Sequence, residues 1–333
     1  MLVSVVTAVY NGEEYLQECI DSILNQTFTE FEYMIVNDGS TDRTKKILDS
    51  IQDKRVTVIH LEINQGAAFC LNYGISQAKG KWIAIQDADD ISEPKRLEAQ
   101  VNYLKNNPQA IGVSSFVKTI AGKKFVSKEF LQAHEFYFNK VKSSEEVYAS
   151  RFLECYVCHG SVLFLKEAFQ SVGGYNPLFK IVYDHDLWIR LFAIMPFEKI
   201  PMVLYRYRVV PSSLSHRDSA MLNKEVLLAS TMGIRDSICH AKSYSLIKIL
   251  HVIVAASQSK CEYFKNDIAP YVNIHVQKYI SKITSLRKRE IYNLLNKDKV
   301  DAVFIMNDPK SRQFMQKLTH IGLKMDKHIF KIQ

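Results

Sequence analysis

The sequence of 333 residues lacks an apolar run of the roughly 20 residues that a membrane-spanning helix needs. Its longest apolar stretch, residues 246–256, is shorter and contains Lys248 and His251, which favours a buried helix over membrane insertion. The N-terminal residues also lack the basic leader and continuous apolar core of a signal peptide. We therefore expect a cytoplasmic globular protein.

Cysteine is sparse, with six residues scattered along the chain, as is typical of reduced thiols and not of a disulfide framework. The stretch from Cys155 to His159 matches the CxxCH pattern of c-type haem attachment. That attachment requires export, which the N-terminus does not indicate, and the flanking residues resemble a buried strand. A zinc site is not favoured either, because no second CxxC or paired histidine spacing accompanies the first.

The first two thirds of the chain have no excess of basic over acidic residues. Residues 1–216 contain 23 Lys and Arg against 25 Asp and Glu, whereas residues 217–333 contain 20 against 10. The net charge of +8 therefore derives from the C-terminal third. Such a surface suits anionic lipid headgroups, phosphate-bearing acceptors or nucleic acid, although solvated helix faces explain the same composition.

The sequence does contain a regular alternation of short, β-branched apolar runs with segments of helical periodicity. The runs are residues 2–10, 31–37, 55–61 and 81–86. This alternation predicts an α/β fold with a mostly parallel sheet and helices on both faces.

Two further segments complete the predicted organisation. Residues 122–150 are polar and irregular, which predicts a loop or a lid over the site. From about residue 217 the pattern favours helices, so we expect a first domain over residues 1–216. A basic, mostly helical C-terminal extension is then expected over residues 217–333.

Polar side chains follow the apolar runs at the points where those runs end. They are Tyr10, Asp38, Asn64, Asp87 and Asp89. Ligands of open α/β sheets bind beyond the carboxyl ends of the strands, so we expect a shared site there. Ordinary turn chemistry explains each residue singly, but not the neighbouring carboxylates after the fourth run.

The segment Asp87–Asp90 places three carboxylates within four residues, and their mutual repulsion calls for a positive partner. Carboxylate oxygens in this pattern suit Mg²⁺ or Mn²⁺, with water and substrate phosphates completing the coordination. A second acidic pair, Asp184 and Asp186, opens a predicted helix. The helix dipole alone stabilises carboxylates there, and the alternative is a general base that faces the metal site.

Several missing motifs narrow the chemistry. The chain has no GxxxxGK[ST] loop and no GxGxxG after the first run, and its DxD follows the fourth run, not the first as in haloacid-dehalogenase-type phosphatases. Of the chemistries considered, a metal-assisted transferase acting on a nucleotide diphosphate remains.

A nucleotidyltransferase is an alternative class, but the usual Gly-rich basic loop is absent. A nucleic-acid-binding protein is another, supported only by the pI of 9.0, so we expect no nucleic-acid partner.

A set of short segments occurs in a characteristic order over about residues 2–216. They read VSVVTAVYN, SILNQTFTEFEYMIVNDGSTDRT, NQGAAFCLNYGI, AKGKWIAIQDADD, PKRL, HGSVLF, VGGYN, DHDLWIRL and YRYRVVPSSLS. Each is weak alone, but together they resemble the family 2 glycosyltransferases, which have the GT-A fold. The resemblance does not extend to residues 217–333.

The resemblance implies a donor-binding side. Ala8 and Tyr10 would lie against the nucleotide base, and Asp38 would hydrogen-bond the base or ribose. Asp87 would contact the ribose or the metal shell, and Asp89 would bind the metal that bridges the two phosphates. The full set expected on this side is Ala8, Tyr10, Asp38, Gly66, Asn72, Asp87, Ala88 and Asp89.

The resemblance also implies a catalytic base and an acceptor side. Asp184 corresponds to the acidic residue that such enzymes use as the base. Its usual preceding Glu is replaced by Tyr183, which leaves Asp186 as the alternative. His159, Trp188 and Asp186 would line the acceptor side.

The implied activity is inverting transfer of a hexosyl or N-acetylhexosaminyl group from a nucleotide-diphosphate sugar. The acceptor would be a hydroxyl of a glycan or lipid-linked molecule in cell-surface polysaccharide synthesis. UDP is the default nucleotide on family grounds, although Leu71 stands where the family often has an Arg. The basic C-terminal region could hold the enzyme on the anionic inner face of the cell membrane.

Overall fold

The computed structural model describes residues 2–194, 196–211, 213, 218–281, 285–296, 299–307, 309, 311–320 and 322–332. The chain divides into two compact units, residues 1–218 and 219–333. The domain boundary expected after residue 216 falls outside the described residues, as do Ser212, Leu214 and Ser215 of the last quoted segment.

The N-terminal unit is built on an eight-stranded sheet with the order β3-β2-β1-β4-β7-β6-β8-β5. Four of its seven strand pairings are parallel, including every pairing within β3-β2-β1-β4, which confirms the predicted mostly parallel α/β sheet. The strands are β1 (Val3–Val9), β2 (Phe31–Asn37), β3 (Val56–His60), β4 (Trp82–Ile85), β5 (Ile91–Ser92), β6 (Gly112–Ala121), β7 (Leu163–Leu165) and β8 (Phe197–Val209).

Eight α-helices are described in this unit, and two of them correct an expectation. They are α1 (Leu16–Leu24), α2 (Thr44–Asp49), α3 (Ala67–Gln77), α4 (Arg96–Asn106), α5 (Lys128–Asn139), α6 (Ser144–Ser150), α7 (Lys166–Ser171) and α8 (Tyr183–Phe192). Residues 122–150, expected to be a loop, contain α5 and α6. Each begins at a serine, Ser127 or Ser143, whose hydroxyl accepts a hydrogen bond from the N–H three residues later.

Alternate residues of the central strands face two separate hydrophobic cores, because successive strand side chains point to opposite sides of the sheet. Val6 packs in one core with Leu71 of α3 and Leu187 of α8. Val5 packs in the other with Leu16 of α1. Helices on both faces therefore bury the central strands β1, β2 and β4, which explains why these strands read as continuous apolar runs.

The expectation of a mostly helical C-terminal region is wrong. Residues 219–333 contain a four-stranded, all-parallel sheet with the order β10-β9-β11-β12. Its strands are β9 (Leu250–Ala255), β10 (Ile274–Ile280), β11 (Ala302–Met306) and β12 (Ile329–Ile332), and the helices of this unit are α9 (Ser219–Ala241), α10 (Gln258–Tyr263), α11 (Ser285–Asn296) and α12 (Ser311–Thr319).

The error has a physical reason. The runs LHVIVA and AVFIM are short, β-branched and buried, the same pattern that indicated strands in the first 120 residues. The segment 246–256, expected to be a buried helix, contains strand β9. Within the described part of the chain, no helix is both long and apolar enough to cross a membrane.

Candidate active site

Strands β1, β2 and β4 deliver their polar residues to one edge of the sheet, since all three run parallel. Tyr10 follows β1, Asp38 follows β2, and Asp87 lies two residues beyond β4. The expected shared crevice therefore gathers these residues at the carboxyl ends of neighbouring strands.

Asp87 is held in place by the protein itself. Its Oδ1 lies 2.8 Å from Nδ1 of His159, and its backbone N–H donates to the hydroxyl of Tyr205 at 3.2 Å. Gly160 is required beside this contact, because a Cβ there would lie 1.8 Å from the Tyr205 hydroxyl and 2.8 Å from Oδ2 of Asp87. The side chain of Asp87 remains about 29% exposed, so it is both oriented and accessible.

His159 is buried and forms the second half of this arrangement. Its Nε2 lies 2.9 Å from the hydroxyl of Tyr175, while aromatic rings of Tyr175, Tyr183 and Trp188 surround the imidazole. Burial alone lowers the pKa of His159, but the charge and hydrogen bond of Asp87 outweigh it and the pKa is raised. The structure therefore makes His159 a partner of Asp87, whereas we expected it to line the acceptor side.

Asp89 is a partly buried carboxylate of the acidic turn. Burial, together with the negative charge of Asp87, raises its pKa to about 6. A group in this state is stabilised in its charged form by any cation that arrives beside it. Asp89 therefore meets the electrostatic requirement for a cation ligand.

Asp90 is almost fully buried. Its Oδ1 accepts a hydrogen bond from the backbone N–H of Arg208 at 2.6 Å, while Oδ2 has no described partner. Burial, followed by the charges of Asp89 and Asp87, raises its pKa well above the ordinary value. Asp90 thus attaches the DxD turn to β8.

Arg208 is a positive neighbour of this acidic turn that no local sequence signal indicated. Its Nε donates to the backbone oxygen of Asp89 at 2.6 Å, and its Nη2 pairs with Glu18 at 2.6 Å. The guanidinium also lies over the ring of Tyr15, 4.3 Å from the centroid. Arg208 comes from β8, more than a hundred residues away, so only the folded sheet reveals the contact.

A second arginine, Arg96, lies entirely buried beneath the turn. It donates to the backbone oxygens of Ile85 and Val162 at 2.8 and 3.0 Å, and to the side-chain oxygen of Gln86 at 3.2 Å. Ser92 and Gln100 accept its remaining hydrogen bonds. Arg96 therefore ties the last residue of β4, directly before the acidic turn, to α4 and to the segment leading into β7.

Asp184 lies in the first turn of α8 and is electrostatically coupled to the same cluster. Burial raises its pKa, an effect that the positive charges of His159 and His185 oppose and that the charge of Asp87 reinforces. Its Oδ1 accepts a hydrogen bond from the backbone N–H of His185 at 2.7 Å. A half-buried carboxylate with a raised pKa is suited to accept a proton near neutral pH.

Asp186 and Trp188 occupy different surroundings from Asp184. Asp186 is buried and pairs with Arg190, one turn later on α8. Trp188 is only 1% exposed and packs against Phe192 and Phe197 in the aromatic core. The expectation that Trp188 lines the crevice is therefore corrected, and the pairing of Asp186 favours Asp184 of the two candidate bases.

Asp38 organises the loop that follows β3. Its two carboxylate oxygens accept hydrogen bonds from the backbone N–H groups of Gln65 and Gly66, at 2.6 and 2.9 Å. Gly66 has φ +90°, a conformation that favours glycine, and it directly precedes α3. Each carboxylate oxygen of Asp38 keeps a lone pair that can accept one more hydrogen bond. A contact between Asp38 and the nucleotide sugar therefore stays a prediction.

The remaining donor-side residues divide into two groups. The side-chain amide of Asn72 accepts a hydrogen bond from the N–H of Tyr175 at 2.9 Å and donates one to its C=O at 2.8 Å. Asn72 therefore links α3 to the turn before α8, and its amide is engaged there and not with the nucleotide sugar. Tyr10 is half exposed, whereas Ala8 and Ala88 are partly buried against the two cores. Tyr10 can contact a nucleotide sugar through its ring, and Ala8 and Ala88 can do so through their backbone.

The acidic turn offers an incomplete set of metal ligands. Among the residues that the structure describes, no three His, Cys, Asp or Glu side chains are arranged to hold a metal ion. Asp89, with its raised pKa, and the accessible Asp87 fit a Mg²⁺ or Mn²⁺ ion that completes its coordination with substrate phosphates. The residues therefore fit an ion that arrives with its substrate, not one held in a protein cage.

The parallel β3-β2-β1-β4 sheet with an acidic turn at its edge and a further carboxylate on a later helix defines a GT-A glycosyltransferase. The chain belongs to glycosyl transferase family 2, whose sequence profile matches residues 4–173. It shares the fold of S. aureus TarS, whose structure in complex with UDP superposes with a TM-score of 0.55 at 19% identity, over 70% of this chain and 65% of that one.

Curated relatives agree with this family. An uncharacterized glycosyltransferase of Methanocaldococcus jannaschii is 36% identical over 213 residues, which cover 62% of this chain and 71% of the relative. The O-antigen biosynthesis glycosyltransferase WbnJ of Escherichia coli is 31% identical over 215 residues, covering 62% and 80%. An uncharacterized Haemophilus influenzae glycosyltransferase is 41% identical over 124 residues, and this match spans 38% of its length.

Proposed function

We propose that the protein is a metal-dependent, inverting glycosyltransferase that moves a sugar from a nucleotide-diphosphate sugar to an acceptor hydroxyl. The observation that carries the proposal is the position of Asp87, which lies 2.8 Å from His159 and whose charge, added to burial, raises the pKa values of both Asp89 and Asp184. Two acidic functions are thus available, one for a cation and one for a proton.

Asp89, with Asp87 beside it, would hold a Mg²⁺ or Mn²⁺ ion. When bound, this ion supplies positive charge that offsets the charge developing on the leaving diphosphate. Asp87 keeps its orientation through the contact of its Oδ1 with His159, so Oδ2 would be the oxygen available to the ion. Arg208 supports Asp89 from behind through the backbone.

Asp184 would act as the general base. It accepts the proton of the acceptor hydroxyl while the hydroxyl oxygen forms a bond to the anomeric carbon. The bond from that carbon to the phosphate oxygen breaks, and the nucleotide diphosphate leaves with the electron pair. Attack opposite the leaving group inverts the anomeric configuration. The raised pKa of Asp184 supports this role, because a general base works best when its pKa approaches the working pH.

The nucleotide would lie along Tyr10, Ala8 and Asp38, with Gly66 and Ala88 offering backbone contacts. UDP is favoured, and the complexes of S. aureus TarS with UDP and UDP-GlcNAc support this choice by fold likeness only. The acceptor would be a glycan or lipid-linked molecule of a cell-surface polysaccharide. The E. coli relative WbnJ, an O-antigen biosynthesis glycosyltransferase, supports this class. Peripheral contact with the anionic inner face of the cell membrane fits such an acceptor.

A thermal-shift screen of nucleotide sugars, each with Mg²⁺, Mn²⁺ or a chelator, tests donor, metal and class together. We expect one nucleotide sugar to stabilise the protein in a metal-dependent way, and Asp89→Asn to lose that dependence. Product analysis then separates the classes, because glycosyl transfer releases a nucleoside diphosphate and nucleotidyl transfer releases pyrophosphate. Donor stabilisation that persists unchanged in chelator and in Asp89→Asn would refute the metal assignment.

A further inference from the structure

One surface of the N-terminal unit departs from the charge of its surroundings. Residues 118–142, which we call the α5 segment, include the end of β6, the following loop and helix α5. This segment contains six lysines and two glutamates, although residues 1–216 as a whole contain more acidic than basic residues. The remainder of residues 1–216 is therefore distinctly acidic, and the α5 segment is a local basic surface.

The α5 segment also exposes large aromatic side chains. Phe125 is 90% exposed and Phe136 is 70% exposed. Lys128, Gln132 and Phe136 follow one another on α5 at intervals of four residues and are all exposed, so they form one outward face of the helix. Exposed phenylalanines framed by lysines are the composition of helices that lie in a membrane interface.

The opposite face of α5 is hydrogen-bonded to the rest of the N-terminal unit. These contacts determine which face of the helix points outward. The hydroxyl of Thr119 donates to the backbone oxygen of Leu131 at 2.9 Å, and the amide of Asn139 bonds both backbone groups of Val117 at 2.8 and 2.9 Å. From below, the buried Lys199 donates to the backbone oxygen of Phe138. The aromatic face is therefore presented by an anchored helix.

The loop before α5 lies next to the candidate active site. The backbone oxygen of Ala121 accepts a hydrogen bond from Arg208 at 3.4 Å, and the backbone N–H of Lys123 donates to the hydroxyl of Tyr15 at 2.7 Å. Arg208 itself contacts Asp89. A partner bound on the α5 segment would therefore be close to the crevice.

We propose that the α5 segment docks the N-terminal unit on an anionic lipid surface. Phe125 and Phe136 enter the boundary between headgroups and acyl chains, and Lys123, Lys124 and Lys128 contact the anionic headgroups. A second copy of the chain is disfavoured as the partner, because two such basic surfaces repel each other. The inference rests on the proposed function in one respect, since docking here would bring a lipid-linked acceptor to the crevice.

The test is co-sedimentation of the full chain with phosphatidylcholine vesicles, with and without phosphatidylglycerol. We expect binding only with the anionic lipid, weakening as salt rises. Phe125→Ser combined with Phe136→Ser should reduce the partition coefficient roughly tenfold. The partition coefficient should also fall when Lys123→Gln, Lys124→Gln and Lys128→Gln are combined. At low salt, each lost lysine should lower it by about fivefold.

A matched control separates this surface from the basic C-terminal unit. Ile247 is 83% exposed and lies next to Lys248 in that unit. We expect Ile247→Ser to bind vesicles like the wild type. If Ile247→Ser loses binding and the phenylalanine variant keeps it, docking occurs elsewhere and the proposal is overturned. Absence of wild-type binding at low salt also overturns it.

Two further measurements complete the test. Metal-dependent stabilisation by nucleotide sugar should be unchanged in the phenylalanine variant, so loss of lipid binding and failure of the proposed function can be told apart. Size-exclusion chromatography over a range of concentrations should show no self-association that depends on Phe125 and Phe136. A dimer that these two substitutions abolish would identify the surface as an interface between copies and overturn the lipid assignment.

Discussion

His159 joins Asp87 to Tyr175 through a single buried imidazole, with contacts of 2.8 Å at Nδ1 and 2.9 Å at Nε2. Tyr175 is itself fixed by the amide of Asn72, which bonds both of its backbone groups. The orientation of the crevice carboxylate therefore depends on α3 and on the turn before α8, although neither element contributes the carboxylate.

Replacing His159 should affect catalysis by releasing Asp87. We expect His159→Leu to lower kcat/KM roughly 10- to 100-fold, the usual effect of losing a partner that orients a ligand carboxylate. The KM for metal should rise, because Asp87 is no longer held. Metal titrations of donor turnover measure both quantities. Tyr175→Phe is the control, since it removes only the far hydrogen bond and should change turnover less. Wild-type turnover and metal response in His159→Leu would contradict the role of the imidazole in orienting Asp87.

Substitution of the two acidic residues of α8, Asp184 and Asp186, should have different effects. Asp184→Asn should lower kcat by roughly 10²- to 10⁴-fold with donor affinity unchanged, because the variant cannot accept a proton. Asp186→Asn breaks the pair with Arg190 and should mainly lower thermal stability. Steady-state kinetics and donor titration of both variants test this. If Asp186→Asn loses the chemical step while Asp184→Asn retains it, the assignment is reversed.

The sequence was sufficient for the elements whose signals are local. The parallel strands after residue 2, the polar residues at their ends and the DxD turn follow from short-range periodicity and spacing. The partners Arg208 and His159 could not be predicted, because they reach the turn from strands and turns 70 or more residues away. Leu250–Ala255 had a readable strand pattern, but the apolar stretch around it was interpreted as a buried helix.

Arg96 should contribute to stability far more than a surface arginine. Arg96→Lys leaves several of its five acceptors unsatisfied in the core, so we expect unfolding free energy to fall by about 3 kcal/mol or more. Arg206→Lys is the matched control, because Arg206 is partly exposed and pairs with Glu93 near the surface. Its effect should stay below about 1 kcal/mol.

Denaturant unfolding followed by tryptophan fluorescence suits these measurements. The chain has two tryptophans, Trp82 and Trp188, and both lie in the N-terminal unit. The signal therefore reports this unit alone. An Arg96→Lys variant as stable as Arg206→Lys would contradict the role of the buried guanidinium.

The last prediction concerns pH. Lys199 is buried, and burial lowers its pKa from 10.5 to about 8. Between these two values the unfolded chain binds the proton and the folded chain does not, so this residue makes stability rise with pH across that window. The neutral amine still has two N–H groups for its acceptors, the backbone oxygens of Phe138 and Tyr156.

Lys199→Met should remove this pH dependence. Between about pH 7.5 and 9.5, the wild type should gain about 2 kcal/mol of unfolding free energy relative to the variant, because roughly 1.5 pH units of the window are crossed. Tryptophan-monitored unfolding at both pH values measures the difference. Lys105→Met, at an exposed position in the last turn of α4, should track the wild type. Parallel pH profiles for wild type and Lys199→Met would mean that Lys199 keeps its proton in the core.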